Sequence, residues 1–340
     1  MFYPIFGLRK KCRKKIPQKN NNITLSVRNA HAMAYNSKDA NVYLFGGASE
    51  KEVLSDLWIW NSINWEKIIV EDGPEPRTFS SMIYDKANHR LVLFGGSKVL
   101  FGKNPDLKNL LNDTWEFRNN HWKKLTPRNA PSPRAESAMV YDENHQTIVL
   151  FGGYKIQDDE YIKLGDTWEF RNDEWHLVST EGPSERHGVS MAYDTNNESV
   201  ILFGGSTIDK QYGESKGETW KWNGAQWNKL EIKQPHGIFN SNMVYDKELK
   251  KLIRFGGWNG ESRVNETWSL DNNTWNILKI DHKPTSRNHS NMVFDKKRKK
   301  IILFGGHDGK NIFGDTWEFV NHKWKKISEV DPIVRIQNEH

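Results

Sequence analysis

The chain has a single cysteine, Cys12, in 340 residues. One cysteine cannot form a disulfide within the chain, so a disulfide-stapled exported fold is excluded. Metal sites built on several thiolates are excluded as well, because zinc and soft copper centres of that kind need more than one cysteine. The cysteine content therefore favours a cytoplasmic protein, and we predict neither a cofactor nor metal ligands.

Long apolar runs are also missing. No segment approaches the roughly 18 continuous apolar residues of a membrane-spanning helix, so we expect no transmembrane segment. The chain opens with MFYPIFGL and only then becomes basic. A secretory signal has the opposite order, with its positive charges first.

Acidic residues are absent from the first 22 positions, which carry seven lysines and arginines. The net charge of the whole chain is +6, so the remainder carries about −1. The basic character belongs to this tail and not to a surface that could steer nucleic acid, so we predict no nucleic-acid partner. The tail, 1–22, is predicted to be disordered, with contact to an anionic membrane as the alternative.

Aromatic residues and glycine pairs are plentiful, and they recur at fixed spacing. Six copies of a Phe-Gly-Gly motif occur, and their first glycines are 49 to 57 residues apart. Each copy is followed by two tryptophans seven residues apart. The pairs are Trp58 and Trp65, Trp115 and Trp122, Trp168 and Trp175, Trp220 and Trp227, Trp268 and Trp275, and Trp317 and Trp324. A period near 50 with a double glycine indicates a repeat architecture.

Each repeat reads as four short strands. In the third unit these are 138–142, 147–153, 166–170 and 174–178, separated by turns rich in Asn, Asp and Gly. A four-stranded antiparallel sheet cannot bury both of its apolar faces alone, but six sheets stacked around an axis can. We therefore predict an all-β, six-bladed β-propeller over 23–330, followed by a C-terminal tail at 331–340. Each blade is expected to use its own four strands, and the protein to be a monomer.

The Gly-Gly and tryptophan pairs resemble those of the kelch repeat family, specifically a six-bladed kelch propeller. The resemblance covers about residues 28 to 327. In this reading the glycines supply positive φ where the second strand ends, and the tryptophans fill the space between blades. The family contains many binding scaffolds and a few enzymes, so the resemblance is specific for the fold and weak for function.

The repeats differ mainly in the connection between the second and third strands. Between the glycine pair and the acid that precedes the first tryptophan it has 8, 16, 12, 12, 8 and 8 residues in the six units. Alternate connections of an antiparallel sheet share a face, so these loops lie beside the links between blades, where a binding site is expected. Candidate contact residues on them are Leu100, Phe101, Tyr154, Tyr161, Tyr212 and Trp258. The alternative is that their apolar side chains pack on one another.

Five units have an arginine five residues before the methionine that occupies the same place in every repeat. These arginines are Arg28, Arg77, Arg134, Arg186 and Arg287. A ring of arginines could bind a carboxylate-rich peptide, which is also what resemblance to other kelch domains implies. Alternatively, each arginine pairs internally with the acid two residues before the first tryptophan of its unit. The fifth unit has Ile238 instead of the arginine and Arg254 instead of the LFGG leucine, so we predict that Arg254 pairs with Glu266.

Catalytic motifs are not found: there is no HExxH, nucleophile motif or phosphate loop, and we assign no catalytic residue. We predict a non-enzymatic scaffold that binds a protein or peptide, with acidic groups favoured if the arginines face it. The alternative is a small-molecule enzyme in the channel, similar to the sialic-acid mutarotases among six-bladed kelch proteins. A buried, unpaired carboxylate in a deep polar pocket would favour the enzyme.

Overall fold

A computed structural model describes residues 24–100, 109–158, 160–207 and 216–328, together with the backbone of 333–334. These residues form 28 β-strands, and no α-helix occurs among them. Nor is there a helix in this part of the chain that is long and apolar enough to cross a membrane. The predicted tails at 1–22 and 331–340 lie outside the described residues, apart from 333–334.

The strands form six four-stranded sheets, each an antiparallel meander. Blade 1 contains β1 (Ala32–Asn36), β2 (Asn41–Ala48), β3 (Val53–Trp60) and β4 (Trp65–Ile68). Blade 2 contains β5 (Ser81–Asp85), β6 (Arg90–Ser97), β7 (Leu110–Arg118) and β8 (His121–Leu125). Blade 3 contains β9 (Ala138–Asp142), β10 (Thr147–Phe151), β13 (Thr167–Arg171) and β14 (Glu174–Ser179), with the hairpin β11 (Tyr154–Gln157) and β12 (Glu160–Lys163) inserted before β13.

The second half of the ring repeats this pattern. Blade 4 contains β15 (Ser190–Asp194), β16 (Ser199–Phe203), β17 (Thr219–Trp222) and β18 (Trp227–Lys229). Blade 5 contains β19 (Asn242–Asp246), β20 (Lys251–Phe255), β21 (Thr267–Asp271) and β22 (Thr274–Leu278). Blade 6 contains β23 (Asn291–Asp295), β24 (Lys300–Phe304), β26 (Thr316–Val320) and β27 (Lys323–Ser328), and its loop strand β25 (Asn311–Ile312) pairs with β28 (Ile333–Val334).

The first strand of each blade lines the central axis. Strand β1 packs against β5 on one side and β23 on the other, so the ring is closed. Each four-stranded sheet is built from strands of its own repeat, and no strand of the described residues is exchanged between these sheets. The predicted six-bladed propeller is confirmed.

The hydrophobic core is divided among the blade interfaces. Six clusters of buried residues each combine side chains from two neighbouring blades. At every interface the second tryptophan of one blade meets the Phe of the Phe-Gly-Gly motif of the preceding blade, with ring centroids 5.0 to 5.5 Å apart. The prediction that these tryptophans fill the space between blades is confirmed, and edge-on or tilted ring pairs of this kind are favourable.

The glycine pairs join neighbouring blades at the end of each second strand. All six first glycines have φ between 64° and 78°, and all six second glycines between 91° and 107°, as expected. A Cβ on Gly46 would lie under 3.0 Å from the carbonyl oxygen of Arg77 in the next blade. The amide of Gly47 donates to that same oxygen at 2.9 Å. The pair is therefore required because the backbones of two blades approach closely here.

The connections are divided between two faces of the ring. We call the variable face the side with the links between blades and the connections from second to third strands. The lead-in arginines are Arg28, Arg77, Arg134, Arg186 and Arg287, and Ile238 holds the same lead-in position in blade 5. On this side the residue after each lead-in position forms a backbone β-bridge to the residue that follows the glycine pair, as Asn29 does with Ala48. The constant face carries the short turns between first and second and between third and fourth strands. The long connections thus share one face, as predicted.

Candidate functional site

The five arginines of the ring are internally paired. Each guanidinium lies 2.6 to 2.8 Å from a carboxylate oxygen of the acid two residues before the first tryptophan of its own blade. Each also donates to the carbonyl oxygen of the first motif glycine, at 2.9 to 3.1 Å. The pairs are Arg28 with Asp56, Arg77 with Asp113, Arg134 with Asp166, Arg186 with Glu218, and Arg287 with Asp315.

These pairs change the titration of the acids. Burial alone would raise the pKa of Asp56, but the hydrogen bonds and charge of Arg28 and the indole of Trp58 hold it below its usual value. The same balance lowers the pKa of Asp113, Asp166 and Asp315. For Glu218 burial again acts upward, yet Lys229 and Arg186 lower the pKa to about 2. The arginines have at most 1% of their surface exposed, so their positive charge is used inside the blades.

The fifth blade is organised differently. Arg254 is fully buried, and its Nη1 donates to the carbonyl oxygen of Gly256 at 3.3 Å. Among the described residues it has no ion-pair partner, and its Nε and Nη2 make no hydrogen bond. The prediction that it pairs with Glu266 is wrong. Glu266 Oε2 accepts from Trp268 Nε1 at 2.9 Å and lies 3.3 Å from His236 Nε2.

Arg254 is held between aromatic rings instead. Its guanidinium carbon lies 5.2 Å from the ring centre of Phe203 and 5.8 Å from that of Trp268. Burial lowers the pKa of Arg254 to about 10, against the opposing charge of Glu266. In the other blades the same position holds a buried leucine, so this arginine occupies space in the interface between blades 4 and 5.

The apolar loop residues partly pack on one another. Tyr154 and Ile156 form a small buried cluster with Leu110 and Ala135. Contrary to the prediction, Tyr154 therefore does not offer its side chain to a partner. Tyr161 packs against Tyr154 with ring centres 5.1 Å apart and keeps 39% of its surface exposed. Leu100 is half-buried. The candidates Phe101 and Tyr212 lie outside the described residues.

Trp258 remains half-buried on the variable face. It begins the connection that follows the glycine pair of blade 5, and its backbone bridges to Phe239. The guanidinium of Arg263 stacks on its ring at 4.8 Å, and Nε of the same arginine donates to Asn288. With Tyr161, Trp258 supplies the accessible aromatic surface among the predicted contact residues.

A second ring of residues surrounds the axis on the variable face, and the sequence analysis missed it. It consists of the residue two positions after each lead-in arginine, or after Ile238. Its members are Ala30, Phe79, Glu136, Gly188, Asn240 and His289, all with φ between 53° and 64°. Backbone hydrogen bonds connect them around the ring, as from Phe79 to Ala30 and from Glu136 to Phe79. A cavity of about 110 Å³ lies at its centre.

This ring carries a network of polar side chains. Glu136 is buried and accepts a hydrogen bond from His187 Nδ1 at 2.7 Å. Burial would raise the pKa of Glu136, but His187, His289 and Asn240 lower it below its usual value. On the other side of the cavity, His289 lies 2.7 Å from the Asn240 amide and 2.9 Å from His307 Nε2. The centre of the variable face therefore contains an ionised carboxylate with a histidine partner.

Metal binding is not supported by the described residues, because no group of three His, Cys, Asp or Glu side chains among them could hold an ion. The acids that line the two cavities of the described ring are Glu136 and Glu143, and both are paired. The buried, unpaired carboxylate expected of a channel enzyme is therefore missing from these cavities.

The amino-acid sequence matches the model of a known protein family. The family described as the KLHDC2/KLHL20/DRC7 Kelch-repeats domain matches residues 5–182 and 146–336. The chain belongs to the kelch-repeat family. Kelch propellers generally bind proteins, and protein interaction is accordingly the class of function that this family indicates.

Several kelch relatives can be aligned to the chain. "Mei4-dependent protein 6" of Schizosaccharomyces pombe is 28% identical over 210 residues, which are 55% of this chain and 29% of the relative. "Kelch domain-containing protein 10" of Xenopus laevis is 24% identical over 268 residues, 71% of this chain and 62% of the relative. "Host cell factor" of Drosophila melanogaster is 25% identical over 295 residues, 73% of this chain and 18% of the relative. The chain thus spans less than two thirds of each of these proteins.

Proposed function

We propose that this kelch propeller is a non-enzymatic scaffold whose variable face binds a protein or peptide partner. The observation that carries the proposal is the position of Tyr161, which is 39% exposed, and of the half-buried Trp258, on the face where the repeats differ. Tyrosine and tryptophan are enriched at the centres of protein interfaces, and loops on a rigid scaffold are the usual binding elements.

The charge distribution bears on the kind of partner. The lead-in arginines are neutralised by their own blades and are buried, so they supply no free positive ring for an acidic peptide. The axial cavity presents Glu136 and polar His and Asn groups instead. We therefore propose a partner that inserts apolar or aromatic groups between the loops, without a requirement for acidic residues.

The enzyme alternative receives less support. A cavity of about 110 Å³ is smaller than the roughly 300 Å³ of small-molecule sites, and its carboxylate is occupied by His187. A larger cavity lies on the constant-face side of the axis, and its carboxylate is paired with two lysines. Neither cavity of the described ring offers an unpaired acid for general acid or base chemistry.

Affinity capture with the intact chain tests the proposal. The Tyr161→Ala/Trp258→Ala double variant is expected to retain at most about one tenth of the captured partner, because aromatic anchors each contribute on the order of 2 kcal/mol. A second variant with 97–112 shortened to eight residues, the length of the shortest connections, is expected to lose capture as well.

Ile63→Ala is the matched control. Ile63 is 83% exposed and lies in a third-to-fourth-strand turn on the constant face. This variant is expected to capture the partner as well as the unaltered chain. Loss of capture in the control, or retention in both variable-face variants, would contradict the proposal.

A further inference from the structure

The central channel opens widely on the constant face. Its cavity there has a volume of about 340 Å³ and is bounded by the first strands of all six blades. Near the opening each blade contributes one aromatic residue: Tyr35, Tyr84, Tyr141, Tyr193, Tyr245 and Phe294. A volume of this size falls within the range of small-molecule sites. Its opening lies on the constant face, so a ligand bound at the opening occupies a different site from the proposed partner.

Charged side chains surround the opening. They come from the position just after the first strand, which is Lys86 in blade 2, Glu143 in blade 3, Lys247 in blade 5 and Lys296 in blade 6. Glu143 Oε1 accepts from Lys86 Nζ, and also from Lys247 Nζ at 3.1 Å. Among the described lining residues the mouth therefore holds three ammonium groups and one carboxylate.

The lysines of the mouth repel one another. Burial lowers the pKa of Lys86, and the charges of Lys247 and Lys296 act in the same direction, while Glu143 opposes them. One carboxylate cannot neutralise three ammonium groups. A multivalent anion at the opening would compensate the remaining charge, and it would do so between groups fixed on three different blades.

The turn of blade 6 adds positive potential on the same face. Lys296 continues into Lys297, Arg298, Lys299 and Lys300. Arg298, Lys299 and Lys300 are paired with acids, whereas Lys296 and Lys297 project into solvent. Lys296 and Lys297 therefore add positive charge beside the channel mouth, where it would draw an anion toward the cavity.

We propose that the constant-face mouth of the channel binds a small anion with two or more phosphate groups, seated between Lys86, Lys247 and Lys296. Phosphate is favoured because a lysine ammonium is a compact point charge with three donors, and such groups bind phosphate oxygens well. The three ammonium groups exceed the one carboxylate by two charges, which favours an anion that carries more than one negative charge. Either a soluble polyphosphate compound or a phosphorylated lipid headgroup has this chemistry.

Calorimetric titration of the full chain with tripolyphosphate tests the site. We expect saturable binding with one ligand per chain, and about fivefold weaker affinity for Lys247→Ala and for Lys296→Ala. Lys38→Ala is the matched control, because Lys38 is an exposed lysine of the same face that does not line the cavity. It is expected to bind as the unaltered chain does.

Glu143→Gln gives the sharpest readout. Removal of the one negative charge frees Lys86 and Lys247 for the ligand, so affinity is expected to rise about fivefold. A general loss of structure could only weaken binding. Absence of saturable binding, an equal effect of Lys38→Ala and Lys296→Ala, or unchanged affinity of Glu143→Gln would each overturn the proposal.

Vesicles distinguish the two sources of phosphate. Phosphatidylcholine vesicles with and without a phosphatidylinositol bisphosphate are mixed with the protein and sedimented. Binding that needs the phosphorylated lipid, is displaced by tripolyphosphate and is weakened by Lys296→Ala would assign a headgroup ligand to the mouth. Binding of free tripolyphosphate without vesicle binding would assign a soluble ligand. Failure of both arms would overturn the site and leave the proposed partner binding on the variable face untouched.

Discussion

The indole Nε1 of Trp227 in blade 4 donates a hydrogen bond to Thr167 Oγ1 in blade 3, at 2.8 Å in the buried interface. The same bond links four other interfaces, at 2.9 to 3.0 Å. It is missing between blades 1 and 2, where Leu57 replaces the threonine and Trp122 Nε1 is buried without a partner among the described residues. One repeat position thus connects neighbouring blades by both packing and hydrogen bonding.

The Thr167→Val variant should lower the free energy of unfolding by about 1 to 2 kcal/mol, because it leaves the Trp227 donor buried and unsatisfied. Urea denaturation followed by tryptophan fluorescence measures the change. Thr274→Val is the control: Thr274 is exposed at the start of the outer strand β22, and its replacement should leave the transition unchanged. A Thr167→Val protein as stable as the unaltered chain would show that this bond contributes little.

Arg134→Met should be strongly destabilising, by about 3 kcal/mol or more, because Asp166 would remain in a partly buried site without its partner. The loss can be measured by chemical denaturation. Arg128→Met serves as control, since the Arg128 side chain is 92% exposed and its Nε lies as far as 3.9 Å from Glu174. An equal effect of the two substitutions would contradict the structural role of the ring pairs.

Replacement of Arg254 by leucine should stabilise the protein by about 1 kcal/mol or more. The substitution removes a buried cation with two unbonded donors and restores the residue found at this place in the other five blades. Thermal unfolding of Arg254→Leu measures the gain, and Leu202→Arg, the converse change in blade 4, should be destabilising. A lower melting temperature for Arg254→Leu would mean that its contacts with Phe203 and Trp268 outweigh the cost of burial.

His31 should make stability depend on pH below neutrality. Burial, with a smaller effect of the Arg28 charge, lowers the pKa of His31 from 6.5 to about 3. Below pH 6.5 the unfolded chain therefore binds a proton that the folded chain does not bind. The free energy of unfolding consequently decreases as the pH falls from 6.5 toward 3. The slope for one such group is up to about 1.4 kcal/mol per pH unit.

Denaturation of the unaltered chain and of His31→Phe at several pH values isolates this contribution, because all other groups are shared. The difference in unfolding free energy between the two proteins should shift in favour of the variant between pH 6.5 and pH 3. The difference in unfolding free energy between Glu218→Gln and the unaltered chain should change in a lower window, between about pH 4.5 and pH 2. The reason is that folding lowers the pKa of Glu218 from 4.5 to about 2. A constant difference for His31→Phe across the pH range would contradict the buried, neutral histidine.

Much of the fold could be predicted because six copies of one contact are visible in the sequence. The Phe-Gly-Gly and tryptophan spacing identified the strands, and the unequal connections identified the face on which the repeats differ. The ion pairs of Arg28 and its equivalents were one of two alternatives, since the distance between first and third strands allows an arginine to reach the acid.

The rest depended on single positions that do not repeat. The network of Glu136, His187 and His289 uses a ring position whose residue differs in every unit, so no pattern marks it. Its signal is positional: Glu136 and His289 lie two residues after the lead-in position of their units, and His187 lies one residue after Arg186. The pairing of Arg254 was predicted wrongly because sequence spacing does not reveal that its guanidinium packs against the rings of Phe203 and Trp268.

Hydrogen exchange of the intact protein, alone and with its captured partner, tests the central claim most directly. The proposed binding mode predicts slower exchange in the variable-face connections 154–158 and 258–265, with unchanged exchange in the constant-face turns 86–89 and 143–146. Protection confined to the constant-face turns would contradict it.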